Sequence, residues 1–181
     1  MVFTDQNNNV HDILYLYDYH SYWYIYRSVK NRYFDENSNL ILNLKNGKSE
    51  AIELFFHTIN PMINAGVCIA VVPSHDPARL DSGIRKLGAK LATDGRINAI
   101  DCLIRTKEIA KLASGGDRRE QTHIDSIVVQ DGRIIQGRKV CLLDDVMTTG
   151  NSVRACMRLL QNSGAKTVKC LVLGKTVKRN Y

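Results

Sequence analysis

Residues 139–153 read KVCLLDDVMTTGNSV, and this stretch decides the fold. Val140 to Leu143 form a short apolar run, as in a strand buried on both faces of a parallel sheet. Two adjacent carboxylates, Asp144 and Asp145, follow at once. The loop of Thr148, Thr149, Gly150, Asn151 and Ser152 then leads into SVRACMRLLQNSG (152–164), where Val153, Cys156, Met157 and Leu160 fall on one helical face. Strand, hydroxyl-rich loop and helix in that order belong to an open α/β sheet, whose ligands sit beyond the carboxyl ends of the strands.

The loop is suited to an anion. First-turn backbone N–H groups lack intrahelical partners, and the helix dipole adds partial positive charge. Thr and Ser hydroxyls add donors, and Gly150 permits a close approach or a positive φ. A phosphate alone would not tolerate two carboxylates beside it. A ribose 5-phosphate satisfies both features: its phosphate enters the loop and its 2- and 3-hydroxyls donate to Asp144 and Asp145. Neighbouring strand residues face opposite ways, so both acids reach one sugar only if the chain curls where the strand ends. Positive charge developing on a sugar ring as its anomeric bond breaks would be stabilised by these acids. A nucleotide-hydrolase reading needs a partner phosphate loop, and GIRKLGAK (83–90) has Ala89 where the lysine belongs.

Working outward, SEAIELFFHTIN (49–60) places Ile52, Phe55, Phe56 and Ile59 on one helical stripe, with Ser49 as a candidate cap and Pro61 as the stop. GVCIAVVP (66–73) and INAIDCLI (97–104) read as buried strands, IRKLGAKLA (84–92) as a helix, SIVVQDGRII (126–135) as a hairpin through Asp131-Gly132, and KTVKCLVLGK (166–175) as a last strand. The expected fold is α/β: an open, mainly parallel sheet flanked by helices. Near the start, ILYLYDYHSYWYIYRSVKNRYF (13–34) holds seven of the eight tyrosines and the only tryptophan. Its two alternating runs around His20-Ser21 predict an aromatic hairpin, which either packs one face on the body of the protein or offers a stacking platform to a base.

Composition is that of an ordinary globular chain: 181 residues, 44% hydrophobic and 24% charged. No apolar run approaches the roughly 20 residues of a membrane-spanning helix. MVFTDQNNNV lacks the basic start and apolar segment of a secretory leader, so a cytoplasmic protein with no membrane partner is expected. Cys68, Cys102, Cys141, Cys156 and Cys170 are scattered singly, which fits buried thiols in a reducing compartment and no zinc site. The net charge of +7 suits a polyphosphate substrate and leaves nucleic acid open as a partner.

LLDDVMTTGNS (142–152) resembles the phosphoribosyl-pyrophosphate (PRPP) binding motif of type I phosphoribosyltransferases: apolar residues, two acids, two variable positions, then Thr-Thr-Gly-x-Ser. The order of the other segments is most similar to the competence-associated ComF-like branch. There LNLKNGKSEAIELF (42–55) would precede the VVP strand end (71–73), followed by a basic stretch, a short hairpin and the PRPP motif near the C-terminus. The likeness covers about residues 40–175. The paired-cysteine zinc ribbon common in that branch has no counterpart here, and the aromatic hairpin stands in its place.

The resemblance implies a phosphoribosyltransferase that combines PRPP with a nitrogen acceptor, a base or an amine not named by the sequence, and releases pyrophosphate. It implies Mg²⁺ held mainly through the substrate, with no metal ligand assigned to the protein. Asp144 and Asp145 would hold the ribose, and Thr148, Thr149, Gly150, Asn151 and Ser152 the 5-phosphate. The loop PSHDPAR (73–79) would bind pyrophosphate through Ser74, His75 and Arg79. The stretch 105–123 would be a closing lid, with Gly115-Gly116 as its bend and Arg105, Lys107, Arg118 and Arg119 facing the leaving group. Residues 1–40 would form a hood that reads the acceptor and 41–181 the catalytic domain; dimers are common in the family. The alternative is a non-catalytic PRPP-binding regulator or an accessory protein of DNA uptake.

Overall fold

The computed structural model describes residues 3–4, 10–23, 29–108 and 119–177. Its strands, in chain order, are β1 (Phe3–Thr4), β2 (Val10–His11), β3 (Ile13–Tyr19), β4 (Cys68–Val71), β5 (Ile97–Asn98), β6 (Leu103–Arg105), β7 (Ile127–Val129), β8 (Lys139–Met147) and β9 (Thr167–Thr176). The α-helices are α1 (Glu36–Lys45), α2 (Ser49–Ile59), α3 (Gly83–Leu91), α4 (Glu120–Ile124) and α5 (Asn151–Asn162). Five strands form the central sheet in the order β3-β9-β8-β4-β5, and every pairing in it is parallel.

Both faces of the sheet are covered, which is why β4 and the first half of β8 carry uninterrupted apolar runs. On one face Ile41, Leu44, Ile52, Phe55, Ile59, Leu87 and Leu91 pack on Ile69, Val71, Cys141 and Leu143. On the other, Val153, Cys156, Met157 and Leu160 of α5 pack on Cys68, Ala70, Leu142 and Cys170. Each such fully buried Leu, Ile or Phe contributes about 1.5–3 kcal/mol. The expected stripes of α2, α3 and α5 are the faces that are buried.

The N-terminal hairpin is a correction. Alternation in ILYLYDY identifies a strand, but its partner is the C-terminal strand: Ile13 aligns with Cys170 and Tyr19 with Thr176, in parallel. Period two reports which residues share a face and carries no information about which strand lies alongside. Part of the second run, residues 24–28, lies outside the described residues. Trp23 makes one antiparallel bridge to Lys30, and Tyr22 stands edge-on to Trp23 and Phe34. The boundary expected at residue 40 falls inside α1.

Other expected elements also changed. Residues 97–104 split: Cys102 N–H turns back to the Ala99 carbonyl, and β6 leaves the central sheet to pair antiparallel with β7. The Asp131-Gly132 hairpin is absent; Asp131 takes a left-handed φ of 48° and starts a 3-10 turn over Gly132–Ile134. Ser49 is the first helical residue of α2, with Lys48 as N-cap. No helix is expected over residues 36–41, and ENSNLILNLK, rich in asparagine, a poor helix former, nonetheless forms α1. Its signals were local: Asp35 caps it by accepting from the Ser38 N–H at 2.8 Å, and Glu36 occupies the first turn. Helix α3 starts hard against the end of α1, where a Cβ on Gly83 would lie 1.8 Å from the Leu44 carbonyl oxygen. This contact fixes the end of α1, Lys45, over the carboxyl edge of the sheet.

Candidate functional site

The acids do not follow the strand, as expected, but lie within it. Strand β8 continues to Met147, and its register with β9 runs from Leu143–Leu171 through Asp144–Val172 to Met147–Lys175. The carboxylates therefore leave opposite faces at the carboxyl edge. Asp145 turns toward α1 and meets Lys45, with Oδ1 3.2 Å from Nζ. Asp144 lies toward α5, close enough to help raise the thiols of Cys156 and Cys170. Its Oδ1 accepts the Asp145 N–H at 2.9 Å. Burial, and then the charge of Asp145, raise the Asp144 carboxyl well above the usual carboxylate range, against the opposing pull of Lys45. The curl comes one residue later. Val146 packs on the core shared with Leu143, and Met147 on the opposite one, so strict alternation is broken beyond Asp145.

The loop beyond has the shape of an anion cradle. Gly150 is the N-cap of α5, with φ 79° and ψ 5°, and brings no side chain to bond the first turn. The leading N–H groups of α5 lack intrahelical partners at this loop, whose residues Thr148, Thr149 and Ser152 carry hydroxyls. Thr148 Oγ1 lies 3.3 Å from Thr176 Oγ1 on the neighbouring strand. Asn151 is the first residue of the helix and is drawn to one side by Arg154.

Arg154 was missed from the sequence, where it reads as a solvated residue of α5. Its Nη2 donates to the Thr149 carbonyl at 3.0 Å and to Asn151 Oδ1 at 2.5 Å, and its Nε pairs with Glu120 at 3.4 Å. A cation in a helix's first turn opposes the dipole, so these local acceptors are what hold it there. Replacing Arg154 by alanine is expected to leave the melting temperature within about 2 °C, because the side chain is exposed. It should accelerate amide exchange over residues 148–152 by roughly tenfold, as two bonds to a charged donor are lost. Hydrogen exchange read by NMR or mass spectrometry checks this, and unchanged protection there would refute the role.

The second loop lies on the adjacent strand at the same edge. Val72 N–H donates to the Leu143 carbonyl at 2.9 Å, which sets the start of residues 73–79 beside the acids. Ser74 Oγ and Asp76 Oδ1 accept N–H groups within the loop, from Asp76 and Ala78. His75 is half-buried on it. Arg79 is exposed, and its Nη2 donates to the Lys45 carbonyl at 3.0 Å.

Arg105 is not available to a lid. It is 4% exposed, with its guanidinium bonded to the Ser74 carbonyl and the Ser126 hydroxyl and lying 3.4 Å from His123 Nδ1. A basic stretch in sequence does not distinguish a cation that faces solvent from one that braces a loop from beneath. Lys107 and Arg119 are exposed, whereas Arg118 and Gly115-Gly116 lie outside the described residues. A cavity of about 490 Å³ opens beside the 73–79 loop, toward β6 and the 130–134 turn. Neither acid nor the 148–152 loop lines it, so it is separate from the acid-and-loop site.

Among the described residues, no group of three or more His, Cys, Asp or Glu side chains is gathered to hold an ion. All five cysteines are free and buried. No helix among the described residues is long and apolar enough to cross a membrane.

Residues 97–179 match the family model of the phosphoribosyl transferase domain. Over 49 residues the chain is 39% identical to adenine phosphoribosyltransferase of Mycoplasmopsis pulmonis, covering 27% of this chain and 29% of that one. Over 45 residues it is 42% identical to the enzyme of the same name from Desulforamulus reducens, covering 25% and 26%. The matched stretch thus spans less than a third of the length of these relatives. A hypoxanthine phosphoribosyltransferase from Staphylococcus aureus superposes with a TM-score of 0.39 at 12% identity, over 80% of this chain and 77% of that one. A purine phosphoribosyltransferase from Pyrococcus horikoshii gives a TM-score of 0.39 at 13% identity, over 94% and 89%. The acid doublet and the glycine-capped loop therefore lie inside a stretch, 97–179, that matches the phosphoribosyl transferase domain.

Proposed function

We propose that this protein is a phosphoribosyltransferase. The C1–O bond of PRPP breaks, pyrophosphate leaves, and a nitrogen nucleophile forms the new C1–N bond as it loses a proton. The observation that carries this reading is the position of two carboxylates at the carboxyl edge of a parallel sheet, directly before a helix whose N-cap is a left-handed glycine. The 148–152 loop takes the 5-phosphate. Asp144 and Asp145 meet the sugar at the strand's end, where the chain curls at Val146, and stabilise the positive charge that develops on the ring. Ser74, His75 and Arg79 line the path of pyrophosphate, with Lys107, Arg118 and Arg119 reaching it from the basic stretch. Two carboxylates without a larger cluster fit a Mg²⁺ ion that arrives on the substrate's phosphates. Bound there, that ion would neutralise phosphate charge.

Within the family the ComF-like branch is the assignment we favour, on the order of the LNLKNGK segment, the VVP strand end and the late PRPP motif. The named relatives make adenine the first acceptor to try. The test is calorimetry with PRPP and Mg²⁺, then pyrophosphate release in the presence of adenine and other bases and amines. Asp145→Asn is expected to weaken PRPP binding at least about tenfold, near 1.4 kcal/mol, and to keep the fold, since the acid lies at a strand end. Wild-type protein that takes up no PRPP would sink the reading.

One observation favours a second reading, a PRPP-binding regulator or accessory of DNA uptake. Burial of Arg105 leaves fewer cations to balance a departing pyrophosphate. That reading expects PRPP binding with no turnover for any acceptor, and salt-sensitive nucleic-acid binding arising from the net charge of +7.

A further inference from the structure

We propose that Lys45, the last residue of α1, is a positioning residue of this site that sets the acid doublet and the 73–79 loop in one geometry. The inference rests on the sugar-phosphate reading above and adds a residue from outside the PRPP motif. The Lys45 ammonium lies 3.2 Å from Asp145 Oδ1, and the Lys45 carbonyl accepts Arg79 Nη2 at 3.0 Å. One residue thus touches the acid that faces the ribose and the cation that faces the leaving group. Among the described residues, it is the cation within ion-pair distance of either acid.

The placement has a physical basis. The end of a helix carries carbonyls without intrahelical partners and a partial negative charge, which favours both a lysine side chain there and an arginine donating to its carbonyl. Close packing of α3 on α1 at Gly83 and Leu44 holds that end in place. The pair is only partly exposed, 33% for the Lys45 side chain and 24% for Asp145, so solvent screens it less than a surface pair. The groups facing it are Asp144 and Asp145 from β8, Tyr19 from β3 and Arg79 from the loop. The Tyr19 phenol is raised by burial, pulled down by Lys45 and pushed up by Asp145, so it shares the same field. Lys45 likewise opposes the rise of Asp144. Without this cation the charge of Asp145 would act on Asp144 uncompensated, and Asp144 would hold its proton more readily.

The test compares Lys45→Met, which keeps the aliphatic stem, with Lys45→Arg, which keeps the charge. Carbon-detected NMR of the aspartate carboxyls in the ligand-free protein should show the Asp144 titration displaced to higher pH in Lys45→Met and returned toward wild type in Lys45→Arg. An Asp144 titration unmoved in folded Lys45→Met overturns the proposal, whatever the protein binds. Calorimetry with PRPP and Mg²⁺ at pH 7 should show roughly a tenfold loss of affinity in Lys45→Met, shrinking as pH rises, and near wild-type affinity in Lys45→Arg. Equal affinity and equal pH dependence in all three proteins also overturn it. Wild-type protein that ignores PRPP overturns the pocket reading instead, and the carboxyl titration still decides whether Lys45 governs the acids.

Discussion

Asp144→Asn is expected to stabilise the protein while strongly weakening its binding of PRPP. Wild-type Asp144 is raised because burial and the neighbouring Asp145 both disfavour its charge. The sign of the pH dependence follows from linkage. At about pH 2–3, well below the ordinary carboxylate value, the carboxyl is protonated in both folded and unfolded chains and costs nothing. As pH rises, the unfolded chain releases its proton while the folded protein must keep it or bury a charge. Stability attributable to this group is therefore lost as pH climbs from the ordinary carboxylate value through the raised one. Asparagine removes that cost and can still accept the Asp145 N–H now bonded to Asp144 Oδ1 at 2.9 Å.

A gain of about 1–3 kcal/mol at pH 8 is expected, or roughly 2–12 °C in melting temperature for a chain of this size. At about pH 2–3 the difference should vanish. PRPP affinity should fall about a hundredfold, since asparagine cannot ionise against the sugar that Asp144 is proposed to hold. Such a trade of stability for function is common at active sites. Asp145→Asn should bring no comparable gain, because it strips Lys45 of its carboxylate partner. Thermal melts across pH for both variants, with calorimetry, decide the matter. A destabilised Asp144→Asn at pH 8 would show that the carboxylate is held charged at no cost.

Gly150→Ala is expected to be the most damaging small change in the loop. Gly150 sits at φ 79°, where an L-residue pays about 1–2 kcal/mol. A methyl group there would also lie 2.8 Å from Arg154 Nη1 and 3.1 Å from Met147 Sδ. Arg154 is the more mobile neighbour, so it gives way and loses its bonds to Thr149 and Asn151. The loop then changes shape at the proposed phosphate position. Urea denaturation should report a loss of about 1–2 kcal/mol, and PRPP affinity should drop at least about thirtyfold. A variant that binds as tightly as wild type would mean the phosphate does not enter this loop.

How much of this was legible in the sequence varies by element. Helices α2, α3 and α5 were readable because their apolar stripes are local, and a period of 3.6 survives whatever surrounds it. Strands β4 and β9 were readable as apolar runs. The 148–152 loop was legible because a glycine and hydroxyls at a strand-to-helix junction form a cradle from backbone geometry alone. Helix α1 escaped because its asparagines argue against helix, and tertiary packing on β3 and β9 overrides that preference.

The chain's own pattern, then, determined the class of fold and placed the acids and the 148–152 loop together at the carboxyl edge of its sheet. Tertiary structure alone decided who the neighbours are. It made Ile13–Tyr19 a parallel partner of the last strand, turned Arg105 inward as a brace, and delivered Lys45 to Asp145 across 100 residues of chain. The physical reason is the range of the signals: propensity, periodicity and capping act within a few residues. Strand pairing, ion pairing and burial are set by the energy of contacts that close only when distant segments pack.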